Sequence, residues 1–427
     1  MKLREASAHG VKVKRGADLN IEWASGGIPA GRAPGLGRGT TQTGVRLYNE
    51  RLALSLVRKH GSLPKAEIAK LTGLSAQTVS VIVRQLEADG LLIRHSPQRG
   101  KVGQPLIPFS LNPDGAFAIG LKIGRRSGDL MLLDLAGKVR NTRHRPYRFP
   151  APRELLGFVA SEIETLIADL KPRQRERISG IGIAAPFELW NWEEEIGAPH
   201  AVMEAWRGFD LAGEIAKLSD WPVHFCNDAT AACAAELLFG RGYQYRDYAY
   251  FYVGYFIGGG IVVNGSLYQG RAGNAGALGS FPIPAADGGS QQLIRSASFY
   301  LLEQQLRQQG RNPDLLWQEG GDWSEAGSIL DAWIEKAAAS LAQAAAGVAS
   351  VLECAAVVID GAMPANVRSR LAEATLRAIR RVNTQGISRF DIVEGTIGSD
   401  ARAMGAASLP LFANFIIDRD VLFKESL

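Results

Sequence analysis

Gln77, Thr78, Ser80 and Arg84 are side chains able to read the edges of base pairs. An amide, two hydroxyls and a guanidinium fork together match the donors and acceptors that a major groove presents. They lie in SAQTVSVIVRQLEADG, where Val79, Ile82, Val83 and Leu86 recur at helical spacing and claim the inner face. The hydrogen-bonding four are left outside. Ser75 opens the segment as an N-cap and joins the contact set. Arg99 and Lys101, in the Gly/Pro-rich stretch PQRGKVGQP, suit phosphates or a minor groove. A second chemical pair, Asn227-Asp228, ends the apolar run PVHFCND. An amide and a carboxylate there can hydrogen-bond the hydroxyls of a ligand. The alternative is that Asp228 only caps the helix beginning at Ala229.

The elements that must hold the first set follow from periodicity. LYNERLALSLVRKHG reads as an amphipathic helix closed by Gly61, and PKAEIAKLTG as a second closed by Gly73. The short turn LTGLS then leads into the third helix, as a helix-turn-helix requires. LLIRHSPQRGKVGQPLIPFSL reads as two strands around a basic loop, a wing. Three packed helices used for protein contacts are the alternative. Charge favours nucleic acid: residues 1–105 hold 17 Lys/Arg against 7 Asp/Glu, and the remainder 31 against 36. Residues 1–44, Gly-rich and aperiodic, read as a disordered basic tail, and 45–110 as a winged helix-turn-helix domain.

From residue 114 to 427 the texture becomes apolar strands alternating with helices, which argues for an α/β body. AFAIGLKIG, DLMLLDLAG, GIGIAAPF, PVHFCND, YAYFYVGYF and GGGIVVNG read as strands. SEAGSILDAWIEKAAASLAQAAAGVASVLE reads as one long helix or a helix pair. No apolar run is long enough to span a bilayer, and Cys226, Cys233 and Cys354 are too scattered for a disulfide framework. Both fit a cytoplasmic protein with no membrane partner.

The body resembles the ROK family of repressors and sugar kinases. The likeness is carried in order by AIGLKIGRRSGDLMLLDLAGKV, GIGIAAPF, HFCNDATAACAAELLFGRG, GGGIVVNGSLYQGRAGNAGALGS, VVIDGAM and GSDARAMGAASLPL. The resemblance implies a two-lobed, actin-like (ribonuclease-H-like) fold with an interlobe cleft. It makes Asn227-Asp228 the sugar-binding pair and sets Pro186, Glu188, Trp190 and Trp206 at the cleft border. Three departures matter. The family's Asp-Gly-Gly-Thr is here Lys122-Ile-Gly124-Arg125-Arg126, and a Lys cannot serve as a carboxylate beside Mg²⁺. Its Gly-Thr-Gly is here Gly254-Tyr255-Phe256, two rings where phosphate approaches backbone. Its zinc-site Glu and His are here Ala277 and Ser280, and no Cys follows until Cys354, so no metal is expected.

These features imply a non-enzymatic, DNA-binding regulator of carbohydrate genes, most simply a repressor. No cofactor, a duplex operator, a sugar effector and a homodimer or homotetramer are expected. The rival readings are an ATP-dependent sugar kinase with an accessory DNA-binding domain and a constitutive architectural DNA binder.

Overall fold

The computed structural model describes residues 41–98, 106–187, 189–193, 197–271, 273–285, 287–318 and 320–417. Arg99, Lys101 and Glu188 lie outside the described residues, as do positions 1–40 of the expected tail.

The head is built from α1 (Gln42–His60), β1 (Ser62–Pro64), α2 (Lys65–Thr72), α3 (Ala76–Ala88), β2 (Leu92–Arg94) and β3 (Pro108–Leu111). Helix α1 starts within the expected tail, because Thr41 caps it by accepting a hydrogen bond from the Gly44 N–H. Gly73 ends α2 in the left-handed conformation, and Ser75 accepts from the Thr78 N–H to start α3. The three strands form one small sheet in the order β1-β3-β2, and Gln98 pairs with Leu106 at the base of the wing. Leu54, Val57, Ile68, Val79, Val83 and Leu86 close the core of the head.

The body has two lobes whose central five-stranded sheets share one topology. The first contains β4 (Phe117–Ile123), β5 (Ser127–Asp134), β6 (Val139–Pro146), α4 (Pro152–Leu166), β7 (Ile178–Ala185), β8 (Val223–Asn227) and α5 (Asp228–Phe239). The second contains β9 (Tyr248–Val253), β10 (Gly258–Val263), β11 (Ser266–Tyr268), α6 (Phe299–Gln308), α7 (Gly327–Leu352), β12 (Ala356–Gly361), α8 (Ala365–Ala378) and β13 (Asp391–Glu394), after which α9 (Ala401–Phe415) returns to the first-lobe sheet. The sheets run β6-β5-β4-β7-β8 and β11-β10-β9-β12-β13. Each is an antiparallel three-strand meander extended by two parallel strands. The alanine-rich segment is a single helix, α7, with Ala337, Ala338, Leu341, Ala344 and Ala345 buried along it. No helix among the described residues is long and apolar enough to cross a membrane.

Helix α9 ties these parts together. It packs on α5 and on β4 and β7 of the first lobe. The approach is so close that a Cβ on Gly182 would stand 1.8 Å from the Ala406 carbonyl oxygen, and one on Gly405 1.9 Å from that of Ala231. Only glycine allows backbone contact of this kind. At its far end Phe415 packs against the core of the head.

Candidate functional site

Two candidate sites stand apart, one on the head and one in the body. On the head, α3 turns Gln77, Thr78 and Arg84 to solvent, while Val79, Ile82, Val83 and Leu86 are buried. Ser80 is half-buried, with its hydroxyl 3.5 Å from Lys65 Nζ. Ser75 is exposed, but its Oγ is engaged in the cap and lies 2.8 Å from Thr78 Oγ1. Val81, 60% exposed, shares this outer face. Periodicity left it unassigned because Val is also a good core residue, yet an exposed methyl pair can meet a thymine methyl.

Between the lobes lies a cleft of about 1190 Å³. Asn227 and Asp228 reach it from the junction of β8 and α5, and Pro186 lines it beyond β7. The capping role falls on Asn227 rather than Asp228. Asn227 Oδ1 accepts from the N–H groups of Ala229 at 3.0 Å and Thr230 at 3.3 Å. Asp228 is thereby released toward the cleft, where Arg402 NH1 donates to its Oδ2 at 3.0 Å. Trp206 corrects the expectation: it is buried in the core of the first lobe, with Nε1 donating to the Pro150 carbonyl at 2.7 Å and its edge against Phe209. An indole whose N–H is satisfied by backbone and whose faces are packed has no surface left for a sugar. Trp190 is likewise no part of the cleft lining; the Arg207 guanidinium stands over its ring.

The other end of the cleft is filled by paired charges and rings. Lys122 Nζ donates to Asp129 Oδ2 at 2.7 Å and to Ser127 Oγ at 3.0 Å. Burial, aided by Arg402, holds the Lys122 ammonium below its usual range, against the pull of Asp129 and Asp228. Burial would raise the Asp129 carboxyl, but Lys122 and His144 outweigh it and hold it low. Between β4 and β5, Arg125 stacks over the Tyr255 ring at 4.1 Å. Its neighbour Arg126 lies 5.0 Å from the Trp317 ring and bonds Glu303 at 3.0 Å. Tyr255 and Phe256 meet edge to face at 4.9 Å. Two arginines of the first lobe are therefore clasped by rings and a carboxylate of the second.

Residues 118–297 match the model of the ROK family, and residues 48–101 that of the MarR family. The chain carries a ROK domain behind a MarR-type winged-helix domain. It is 26% identical over 374 residues to the uncharacterized protein y4fQ of Sinorhizobium fredii, covering 86% of this chain and 91% of that one. It is 25% identical to the xylose repressor of Bacillus subtilis and 26% to the transcriptional dual regulator NagC of Escherichia coli. Those matches cover 57% and 56% of this chain, but only 62% and 58% of the two relatives, less than two thirds of either. Among solved structures, a ROK family transcriptional regulator described as a homolog of E. coli MLC protein superposes with a TM-score of 0.61 at 21% identity, over 89% of this chain and 98% of that one. A ROK family glucokinase from Streptomyces griseus superposes with a TM-score of 0.55 at 20% identity, over 69% and 99%. These similarities show the fold.

Within the ROK domain, the zinc donors do not fit. Ala277 offers a methyl group and Ser280 a hydroxyl at the cleft wall, and among the described residues no group of three or more His, Cys, Asp or Glu could hold a metal ion. Sequence reasoning missed Arg402, Arg126 and Trp317. Arg402 opens α9, and Asp360 of VVIDGAM steadies that start by accepting from the Gly398 N–H at 3.1 Å. At the other end of α9, Arg51 of the head donates NH2 to the Ala413 carbonyl at 2.7 Å and NH1 to that of Ile416 at 3.3 Å.

Proposed function

We propose that this chain is a DNA-binding transcription repressor whose ROK cleft senses a sugar or sugar derivative and no longer transfers phosphate. The observation that carries this reading is helix α9, which opens on the Arg402–Asp228 pair in the cleft and closes on Arg51 in the head. Sugar hydroxyls arriving at Asp228 and Asn227 compete with Arg402 for the same carboxylate. A change at the start of α9 then biases the seat of the head. In a homo-oligomer this alters the spacing of two heads on a near-palindromic operator with half-sites ~10 base pairs or a multiple apart. Gln77, Thr78, Ser80 and Arg84 read bases with Ser75 beside them, and Arg99 and Lys101 lie along phosphates or reach into a minor groove. Pro186 and Glu188 border the sugar.

Loss of kinase chemistry is supported by the opposite end of the cleft. Lys122 is committed to Asp129, and Tyr255, stacked by Arg125, stands where the family's phosphate-binding backbone lies open.

The test is a mobility-shift assay on the chain's own upstream DNA, with a sugar panel including xylose and N-acetylglucosamine, run beside a coupled ATP-consumption assay. Sugar-dependent release from DNA without ATP turnover is expected. Turnover that vanishes in Asp228→Ala would establish the kinase instead.

A further inference from the structure

A second cavity, of about 780 Å³, lies between the DNA-binding head and the ROK body. Its walls join Arg58 and Lys59 of α1 to Phe239, Tyr243 and Arg246 of the body and to Ile416 beyond α9. We propose that this cavity binds a small organic anion, a carboxylate or phosphate ester carried on an apolar body, at a site separate from the sugar cleft.

The argument begins with Arg58. Its Nε, NH1 and NH2 are shielded from solvent, and none hydrogen-bonds a described residue. The guanidinium lies over the Phe239 ring at 5.6 Å, which satisfies its face but not its donors. A guanidinium presents five N–H groups in a fixed fork that matches a carboxylate or phosphate. Leaving it buried and unpaired is unfavourable, and burial pushes the Arg58 pKa down to about 10.

The rest of the lining points the same way. Arg58, Lys59 and Arg246 face this space, and no Asp or Glu is among the described residues that line it. The sugar cleft differs: there Lys122 is paired with Asp129 and Arg402 with Asp228. Leu237, Met404 and Ile416 supply an apolar wall. Positive charge without counter-charge among the described residues, beside apolar surface, selects an amphipathic anion. Such a ligand touches head and body together, so its binding fixes their relative seat.

Thermal unfolding of the full chain tests this with inorganic phosphate, citrate and phenyl phosphate at constant ionic strength. Phenyl phosphate, which joins an anion to a ring, should raise the Tm by about 3 °C or more at saturation, and inorganic phosphate by less. Arg58→Met should abolish the shift and Arg58→Lys retain part of it. Without ligand, Arg58→Met should unfold no earlier than the parent, because it removes an unpaired buried charge; this separates lost binding from lost folding. No shift with any of the three anions, or a shift undiminished in Arg58→Met, overturns the proposal. The sequence beyond Ile417 continues Asp418-Arg419-Asp420. A shift emerging only when Asp418 and Asp420 are both changed to Asn would assign the site to the chain's own carboxylates and overturn the free-ligand form. The inference is independent of the sugar reading: a chain blind to every sugar would still show the shift.

Discussion

Arg402 and Asp228 meet on the wall of the cleft, NH1 to Oδ2 at 3.0 Å, with side chains only 17% and 14% exposed. Burial opposes the charge on Arg402, but Tyr252 and Asp228 outweigh it and raise its pKa. Each charge makes the other's burial tolerable, and a ligand that takes one must re-satisfy the other.

Asp228→Asn keeps the shape of this corner and removes its charge. Sugar affinity should fall ~10- to 100-fold, the range expected for losing hydrogen bonds to a charged group. Operator binding without sugar should persist. Calorimetry with the active sugar checks the first outcome and anisotropy on labelled operator the second. Unchanged sugar affinity would move the effector site away from Asp228.

On α3, Gln77→Ala and Arg84→Ala should each cost operator binding about 1–3 kcal/mol, as for loss of a good base contact. The loss should be larger on operator than on scrambled duplex for Gln77→Ala. An equal loss on both duplexes, with a shallower salt dependence, would make the residue a phosphate contact instead.

Arg51→Met should separate sensing from response. The variant loses both hydrogen bonds to the end of α9 and about 1–3 kcal/mol of stability. Sugar and operator should each still bind alone, while the sugar-induced change in operator affinity shrinks toward unity. Full coupling in Arg51→Met would mean that the head receives the signal elsewhere.

Legibility in the sequence followed exposure and distance along the chain. The head was readable because its helices are amphipathic and short-range: Val79, Ile82, Val83 and Leu86 lie on the buried face that their spacing demands. Strand β6 escaped notice because VRNTRHRP is a polar edge strand, formed only by pairing with β5 across the turn at Gly137. Trp206 was misread because sequence order does not tell which side of a lobe an indole enters. Arg402 was invisible because its partner is 174 residues away, and nothing local in GSDARAMG separates a cleft arginine from a solvated one.

Acid should destabilise the protein through His224. This imidazole is 2% exposed, and burial lowers its pKa from 6.5. Below pH 6.5 the unfolded chain takes up a proton that the folded chain resists, so stability is present above that pH and falls below it. The slope should stay below ~1.4 kcal/mol per pH unit, the ceiling for one proton. Chemical denaturation between pH 7 and pH 5 should show it in the parent and less of it in His224→Gln. Equal slopes would place the titrating group elsewhere.

The seating of α9 sets what kind of motion can connect its ends. With the Ala406 carbonyl 1.8 Å from where a Gly182 Cβ would stand, the helix and the first-lobe sheet touch backbone to backbone. At that point no side chain stands between helix and sheet, while Leu409 and Leu411 pack against the sheet further along. Over its fifteen residues, ~22 Å of helix, α9 runs from the cleft to the head, and Pro410 interrupts its hydrogen-bond ladder near the head end. In the proposed switch the first lobe would travel with the helix, so elasticity would enter beside affinity. A bulkier residue at Gly182 would push α9 off the sheet from a position outside both the cleft lining and the outer face of α3.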